Sequence, residues 1–138
     1  MTADRVAALR AAYDAAFNDR DLAALDALFA PDVVDRSVAK AEEQVGLEGF
    51  KRRIGGHHAG VSDLRMELYE LVAEGDLVAF RWAFKGTHDG TWLGRPATNR
   101  PFVLSGMNLE RFDPGTGLVV EHFSYPDLLG LFRQLGFA

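Results

Sequence analysis

The sequence predicts an α+β domain: helices first, then a meander of long strands, then one closing helix. Three observations carry this. Apolar residues recur at helical spacing through the first part of the chain, the spacing switches to strict alternation near residue 63, and an apolar helical run follows the last strand. A chain of 138 residues fits one domain over its whole length, 1–138. At that size a core can stand without a metal or a disulfide. Long strands bent over few helices leave a concave space, where small ligands usually bind.

Val6, Leu9, Tyr13 and Phe17 place one apolar stripe on a helix over residues 4–18. Asn18-Asp19-Arg20-Asp21 interrupts it. Leu22, Leu25, Leu28 and Phe29 mark a second, shorter helix, which Pro31 ends because proline cannot continue the hydrogen-bond ladder. Val33-Val34 reads as a short strand and residues 37–45 as a polar loop. A third helix is expected over 47–54, broken by Gly55-Gly56 and followed by a loop over 57–62. Leu64, Met66 and Leu68 then share one face of a first long strand. Val78, Phe80, Trp82 and Phe84 share one face of a second, over 77–86, with Ala79, Arg81, Ala83 and Lys85 opposite. A loop rich in glycine and proline runs from Asp89 to Pro101. A strand over 102–112, the turn Asp113-Pro114-Gly115-Thr116-Gly117 and a strand over 118–125 follow. Pro126-Asp127 opens the last helix, whose apolar face is Leu128, Leu131, Phe132 and Leu135.

Composition excludes several classes of function. Cysteine is absent, which removes thiol catalysis, cysteine zinc sites and disulfides together. The net charge of -5 supplies no basic field for nucleic acid, and Lys51-Arg52-Arg53 reads as a solvated helix face. The N-terminus has no apolar signal core, and no stretch approaches the ~18 apolar residues of a membrane span. A soluble, cytoplasmic protein is expected, with no membrane partner. His57-His58 has no carboxylate partners at ligand spacing, so no metal site is expected.

The motifs Ala73-Glu74-Gly75-Asp76-Leu77-Val78, Arg81-Trp82, Gly86-Thr87-His88-Asp89-Gly90, Leu93-Gly94-Arg95-Pro96-Ala97-Thr98 and Ser105-Gly106 belong together. With them go Gly46-Leu47-Glu48-Gly49-Phe50-Lys51 and the tail Glu121-His122-Phe123…Asp127-Leu128-Leu129-Gly130-Leu131…Gln134-Leu135-Gly136. On these residues the chain resembles the SnoaL-like polyketide cyclase group of the NTF2-like superfamily. The resemblance implies an NTF2-like cone: a curved antiparallel sheet wrapped over three N-terminal helices, plus a C-terminal helix. It also implies an apolar pocket, a homodimer and cofactor-free acid/base chemistry, as in intramolecular aldol closure. The implied ligand is a small apolar or polycyclic molecule such as a polyketide of antibiotic biosynthesis. Such chemistry needs a base for a proton alpha to a carbonyl and donors for the developing oxyanion.

Two residues are candidates for acid/base work. Asp127 is the carboxylate of the most family-like motif, though an Asp directly before an apolar helical run also reads as a helix N-cap. His122 is in phase with Val120 and Ser124 on the last strand and could titrate near neutrality or serve structurally. Ser124 stands where the resemblance implies an acidic residue, and Arg36 stands where it implies a histidine. The Asp-Arg-Asp set of epoxide hydrolases of this fold is absent: Arg81 is present, but the carboxylate positions read as Ala83 and Ser124. Arg81 could neutralise a substrate oxyanion or pair with Glu67 or Glu110 across strands. Asn108 could donate to a substrate carbonyl if its face is concave, with Gly106, Ala79 and Ala83 making room for ligand. The stripe of Val78, Phe80, Trp82 and Phe84 would then pack on a second subunit, although alternation allows the reverse phase. Tyr13, Phe17 and Phe50 read as core residues by spacing; the resemblance implies that they shape the pocket. His88 reads as a structural residue of its turn. An isomerase or hydroxylation-type enzyme, or a non-catalytic binding or dimerising module, remains open beside the cyclase.

Overall fold

The computed structural model describes residues 2–37 and 46–138. The polar loop expected over 37–45 lies, from residue 38 on, outside the described residues. Helix α1 (Thr2–Asn18) buries Leu9, Ala12, Tyr13, Ala16 and Phe17, a single stripe at helical spacing. The second helix is corrected to a 3-10 helix over Leu22–Ala27, and Phe29 begins strand β1 (Phe29–Asp35) instead of ending a helix. Pro31 is tolerated there because β1 is an edge strand whose register breaks between Phe29 and Val34.

Helix α2 runs over Gly46–Gly60, so Gly55-Gly56 does not break it and His57 and His58 are helical. A glycine pair weakens a helix without forbidding it, and burial of Leu47, Phe50, Ile54 and His58 along one side outweighs that cost. Strands β2 (Arg65–Glu74), β3 (Leu77–Thr87), β4 (Pro101–Phe112) and β5 (Val119–Pro126) follow, and α3 (Leu128–Leu135) closes the chain. The sheet order is β1-β5-β4-β3-β2. All pairs are antiparallel except β1 with β5, which is parallel, so the expected antiparallel sheet is in fact mixed.

Register decides which face is concave. Phe80 pairs with Asn108, Trp82 with Gly106, Asn108 with Ser124 and Glu110 with His122. Cross-strand partners point to the same face. The stripe Val78, Phe80, Trp82 and Phe84 therefore lies on the same, inner face as Gly106, Asn108 and Glu110, and is buried at 1–5% exposure. This corrects the expectation that it packs on a second subunit, and separates Gly106 from Ala79 and Ala83. Gly106 makes room for a side chain, not for ligand: a Cβ there would meet Cζ2 of Trp82 at 2.3 Å.

Candidate functional site

Between α1, α2 and the inner sheet face lies a cavity of about 220 Å³. Tyr13 and Phe17 reach it from α1; Phe50, Arg53, Ile54 and His57 from α2; Trp82, Phe84, Leu104, Asn108, His122 and Ser124 from the sheet. Trp92, Leu93, Pro126 and Leu128 complete its lining with Met66 and Ser37. A wider groove of about 680 Å³ lies between α1 and β2, lined by Arg10, Asp14, Arg65 and Glu67 among others. It opens to solvent and holds none of the candidate residues, which gather instead at the smaller space.

Behind the cavity wall, in contact with the lining residues His122 and Tyr13, lies a buried carboxylate. Glu110 is completely buried. Its Oε1 lies 2.5 Å from Nδ1 of His122 and accepts a hydrogen bond from the Tyr13 hydroxyl at 3.0 Å. Its Oε2 is buried without a partner among the described residues. Burial pushes the Glu110 carboxyl up, partly offset by His122 and Tyr13. Burial opposes a charge on His122 too, but the Glu110 and Asp35 carboxylates outweigh it and hold the imidazole above its ordinary value. Burial and the neighbouring Glu110 push Tyr13 well up, so it stays a phenol and donates. Glu110 and His122 thus form one proton-holding unit. No partner of His122 Nε2 is found among the described residues, and that ring lines the cavity.

Supporting groups hold this unit in place. Phe50 packs on the His122 ring with centroids 4.9 Å apart. Asp35, at the end of β1, pairs with Arg53 of α2 and accepts from the Ser37 amide at 2.9 Å. Burial would raise the Asp35 carboxyl, but Ser37, His122 and Arg53 together bring it below its usual range. The Ser37 hydroxyl accepts from the Ser124 amide at 2.7 Å, tying β1 to β5. Asn108 Oδ1 accepts from Trp82 Nε1 at 2.8 Å.

A second polar group faces the cavity from α2. His57 Nδ1 receives a hydrogen bond from Trp92 Nε1 at 3.0 Å. Burial, with Arg53 and His58 adding to it, pushes this imidazole down to about 4.

The structure brings together His122, Tyr13, Phe17, Phe50, Asn108 and Ser124 among the residues picked from sequence. Two others lie elsewhere. Asp127 is exposed, and its carboxylate accepts from the Gly130 amide at 3.0 Å as the N-cap of α3, so the proposed acid/base does not reach the cavity. Arg81 points out of the convex face, pairs with Glu70 and lies over the Tyr69 ring, because its neighbour Trp82 takes the inner phase. It pairs with neither Glu67 nor Glu110. Arg36 also points outward, to Glu121 at 3.0 Å. Glu110, His57, Trp92 and Asp35 were not picked out as site residues. The phase shared by Asn108, Glu110 and His122 was the signal that could have found Glu110. His88 is fully buried, with Nδ1 on the Thr98 hydroxyl at 3.1 Å. Among the described residues no group of His, Asp or Glu is arranged to hold a metal, and no helix is long and apolar enough to cross a membrane.

Residues 7–135 match the family model described as SnoaL-like polyketide cyclase. The chain belongs to this family. It is 28% identical over 122 residues to nogalonic acid methyl ester cyclase of Streptomyces nogalater, covering 88% of this chain and 90% of that one. It is 34% identical over 79 residues to aklanonic acid methyl ester cyclase DnrD of Streptomyces peucetius, covering 57% of this chain but only 53% of that relative. The solved structure of TsrD from Streptomyces laurentii is similar with a TM-score of 0.89 and 33% identity, over 100% of this chain and 99% of that one. The SnoaL fold of this chain is therefore shown by sequence and by structure.

Proposed function

We propose that this SnoaL-like chain catalyses an intramolecular aldol ring closure of a polyketide-type ester, with the His122–Glu110 unit as its acid and base. The observation that carries the reading is the buried carboxylate–imidazole pair, anchored by Tyr13, whose imidazole lines a cavity walled mainly by aromatic and aliphatic side chains. His122 Nε2 takes a proton from the carbon alpha to a carbonyl, and Glu110 stabilises the imidazolium that forms. The electron pair left on carbon forms the new C–C bond to the acceptor carbonyl carbon, and the C=O π pair moves onto oxygen. A proton returned through water neutralises the alkoxide, so the closure is an isomerisation without redox change. The relatives named as cyclases of aklanonic and nogalonic acid methyl esters support this substrate class.

Size narrows the substrate. An apolar cavity of about 150 Å³ takes one benzene ring. A space of about 220 Å³ therefore encloses a fused bicycle. A larger polyketide would insert only its reacting end. Turnover of aklanonic acid methyl ester, followed by chromatography, tests the reading. Turnover that survives both His122→Phe and Glu110→Gln unchanged would overturn it.

The molecule is further proposed to be a homodimer through the convex sheet face. Met107 and Tyr125 are cross-strand partners there, each 56% exposed, with Val103, Leu109 and Phe123 on the same face. Contiguous exposed apolar groups of this kind mark interaction surfaces. Sedimentation at micromolar concentration should give twice the chain mass for the wild type and the chain mass for Met107→Glu with Tyr125→Glu. A wild type that sediments as a monomer removes the dimer.

A further inference from the structure

We propose that His57, on the α2 wall of the cavity, is the neutral hydrogen-bond donor to the carbonyl oxygen on which charge develops during ring closure, and that Trp92 is the positioning residue that fixes its donor tautomer. The proposal rests on the ring-closure reading and adds the group that meets the developing oxyanion.

The tautomer follows from the partner. An indole Nε1–H can only donate, so the nitrogen it reaches must accept. Trp92 Nε1 lies 3.0 Å from His57 Nδ1, so Nδ1 keeps its lone pair and the ring proton sits on Nε2. A proton on Nδ1 would set two donors face to face. Trp92 has little freedom to yield. It is 4% exposed, packs on Phe102 at 5.0 Å, and its backbone exchanges two 2.9 Å hydrogen bonds with Arg95. Gly60 lies so close that an added Cβ would sit 2.4 Å from Trp92 Cβ. The guanidinium of Arg53, one helical turn before His57, adds to burial in disfavouring an imidazolium. The ring therefore keeps its Nε2 proton and can lend it in a hydrogen bond without transferring it. No partner of Nε2 is found among the described residues.

Position sets the wall from which it meets the substrate. Phe50, Ile54 and His57 lie on one face of α2, and Phe50 packs on His122. Seven residues of helix separate Phe50 from His57, a rise of about 10 Å. In the closing step the acceptor oxygen, like the enolate oxygen, is two bonds from the reacting carbon, so one donor serves whichever oxygen gains charge. His122 meets the substrate from the sheet and His57 from α2. The oxygen on which charge develops takes its hydrogen bond from Nε2–H, and the aldolate takes its final proton through water.

Two measurements test this, and the first needs no turnover. In ¹⁵N-resolved NMR, His57 should be the neutral Nε2–H tautomer from pH 5.5 to 8, and Trp92→Phe should lose that preference. With 1-tetralone labelled at the carbonyl carbon, a bicyclic ketone matched to the cavity, the bound ¹³C resonance should move downfield. That shift should vanish in His57→Phe and return in part in His57→Gln, whose amide can donate. A His57 that titrates near 6.5, an Nδ1–H tautomer, or an equal carbonyl shift in the wild type and His57→Phe would overturn the proposal. In turnover, His57→Phe should lower kcat about 10²-fold with KM little changed. If the wild type does not turn over the ester, the cyclase reading fails, while the tautomer and carbonyl shifts still decide the role of His57.

Discussion

At the scale of single residues, the site rests on Glu110. Its negative charge is what lifts His122 against the opposing effect of burial. Glu110→Gln keeps an oxygen that can accept from both Tyr13 and the imidazole but removes the charge. His122 should then fall toward or below its ordinary value. Because the free imidazole is the base, wild-type activity should rise with pH through the elevated His122 value. In Glu110→Gln that rise should move to lower pH, with a lower plateau. The loss expected from weakening a general base is about 10²–10⁴-fold. An unchanged pH profile in Glu110→Gln would show that the carboxylate does not set the imidazole. Glu110 was not legible as a site residue because alternation alone cannot say which face is inside. From sequence it is a cross-strand partner for Arg81 and a neighbour in phase with Asn108, on a face that alternation leaves open. Asp127 was misplaced for a related reason: its motif is equally that of an N-cap, and Gly130 makes room for the cap, since a Cβ there would meet its carboxylate at 2.2 Å.

At the scale of elements, the helices and strands were readable wherever a period persisted. The stripe of α1 and the alternation of β3 and β4 set both type and extent. The end of α2 was not readable, because Gly55-Gly56 reads as a stop by local preference while tertiary burial carries the helix to Gly60. That extension has a consequence for function, since it puts His57 on the face that already carries Phe50 and Ile54. It also yields a stability test. A Cβ at Gly55 or Gly56 would meet nothing within 4 Å, and neither has a positive φ. Replacing glycine by alanine at an open helical position removes freedom from the unfolded chain. Gly55→Ala and Gly56→Ala should each stabilise by about 0.5–1 kcal/mol in urea unfolding. Destabilisation by either would mean that the helix does not run through the pair. β1 was missed as a full strand because Pro31 suggested a helix end, whereas an edge strand with a broken register accommodates it.

At the scale of the whole molecule, the cavity walls couple stability to pH in opposite directions. His57 is pushed down from 6.5 to about 4, so the unfolded chain binds its proton more readily than the folded one. Its contribution is complete above pH 6.5 and declines as pH falls from there toward 4. Asp35 is lowered in the folded state, so its contribution is present above its ordinary value of 3.8 and is lost as pH falls through the lower folded value. His122 and Glu110 are both raised, so their contributions are complete below their ordinary values of 6.5 and 4.5 and are lost as pH rises through the folded values. Stability should therefore carry an acid limb led by His57 and an opposing limb, falling as pH rises, carried by His122 with Glu110. Thermal melts across pH 4–9 check this, and the variants separate the limbs. His57→Gln should flatten the decline between pH 6.5 and 4 while leaving the opposing limb in place. Glu110→Gln should flatten the opposing limb, because without the carboxylate His122 no longer gains protons on folding. An acid limb of the same slope in the wild type and His57→Gln would mean that His57 is not held neutral in the native state, and the donor role argued from Trp92 would lose its physical basis.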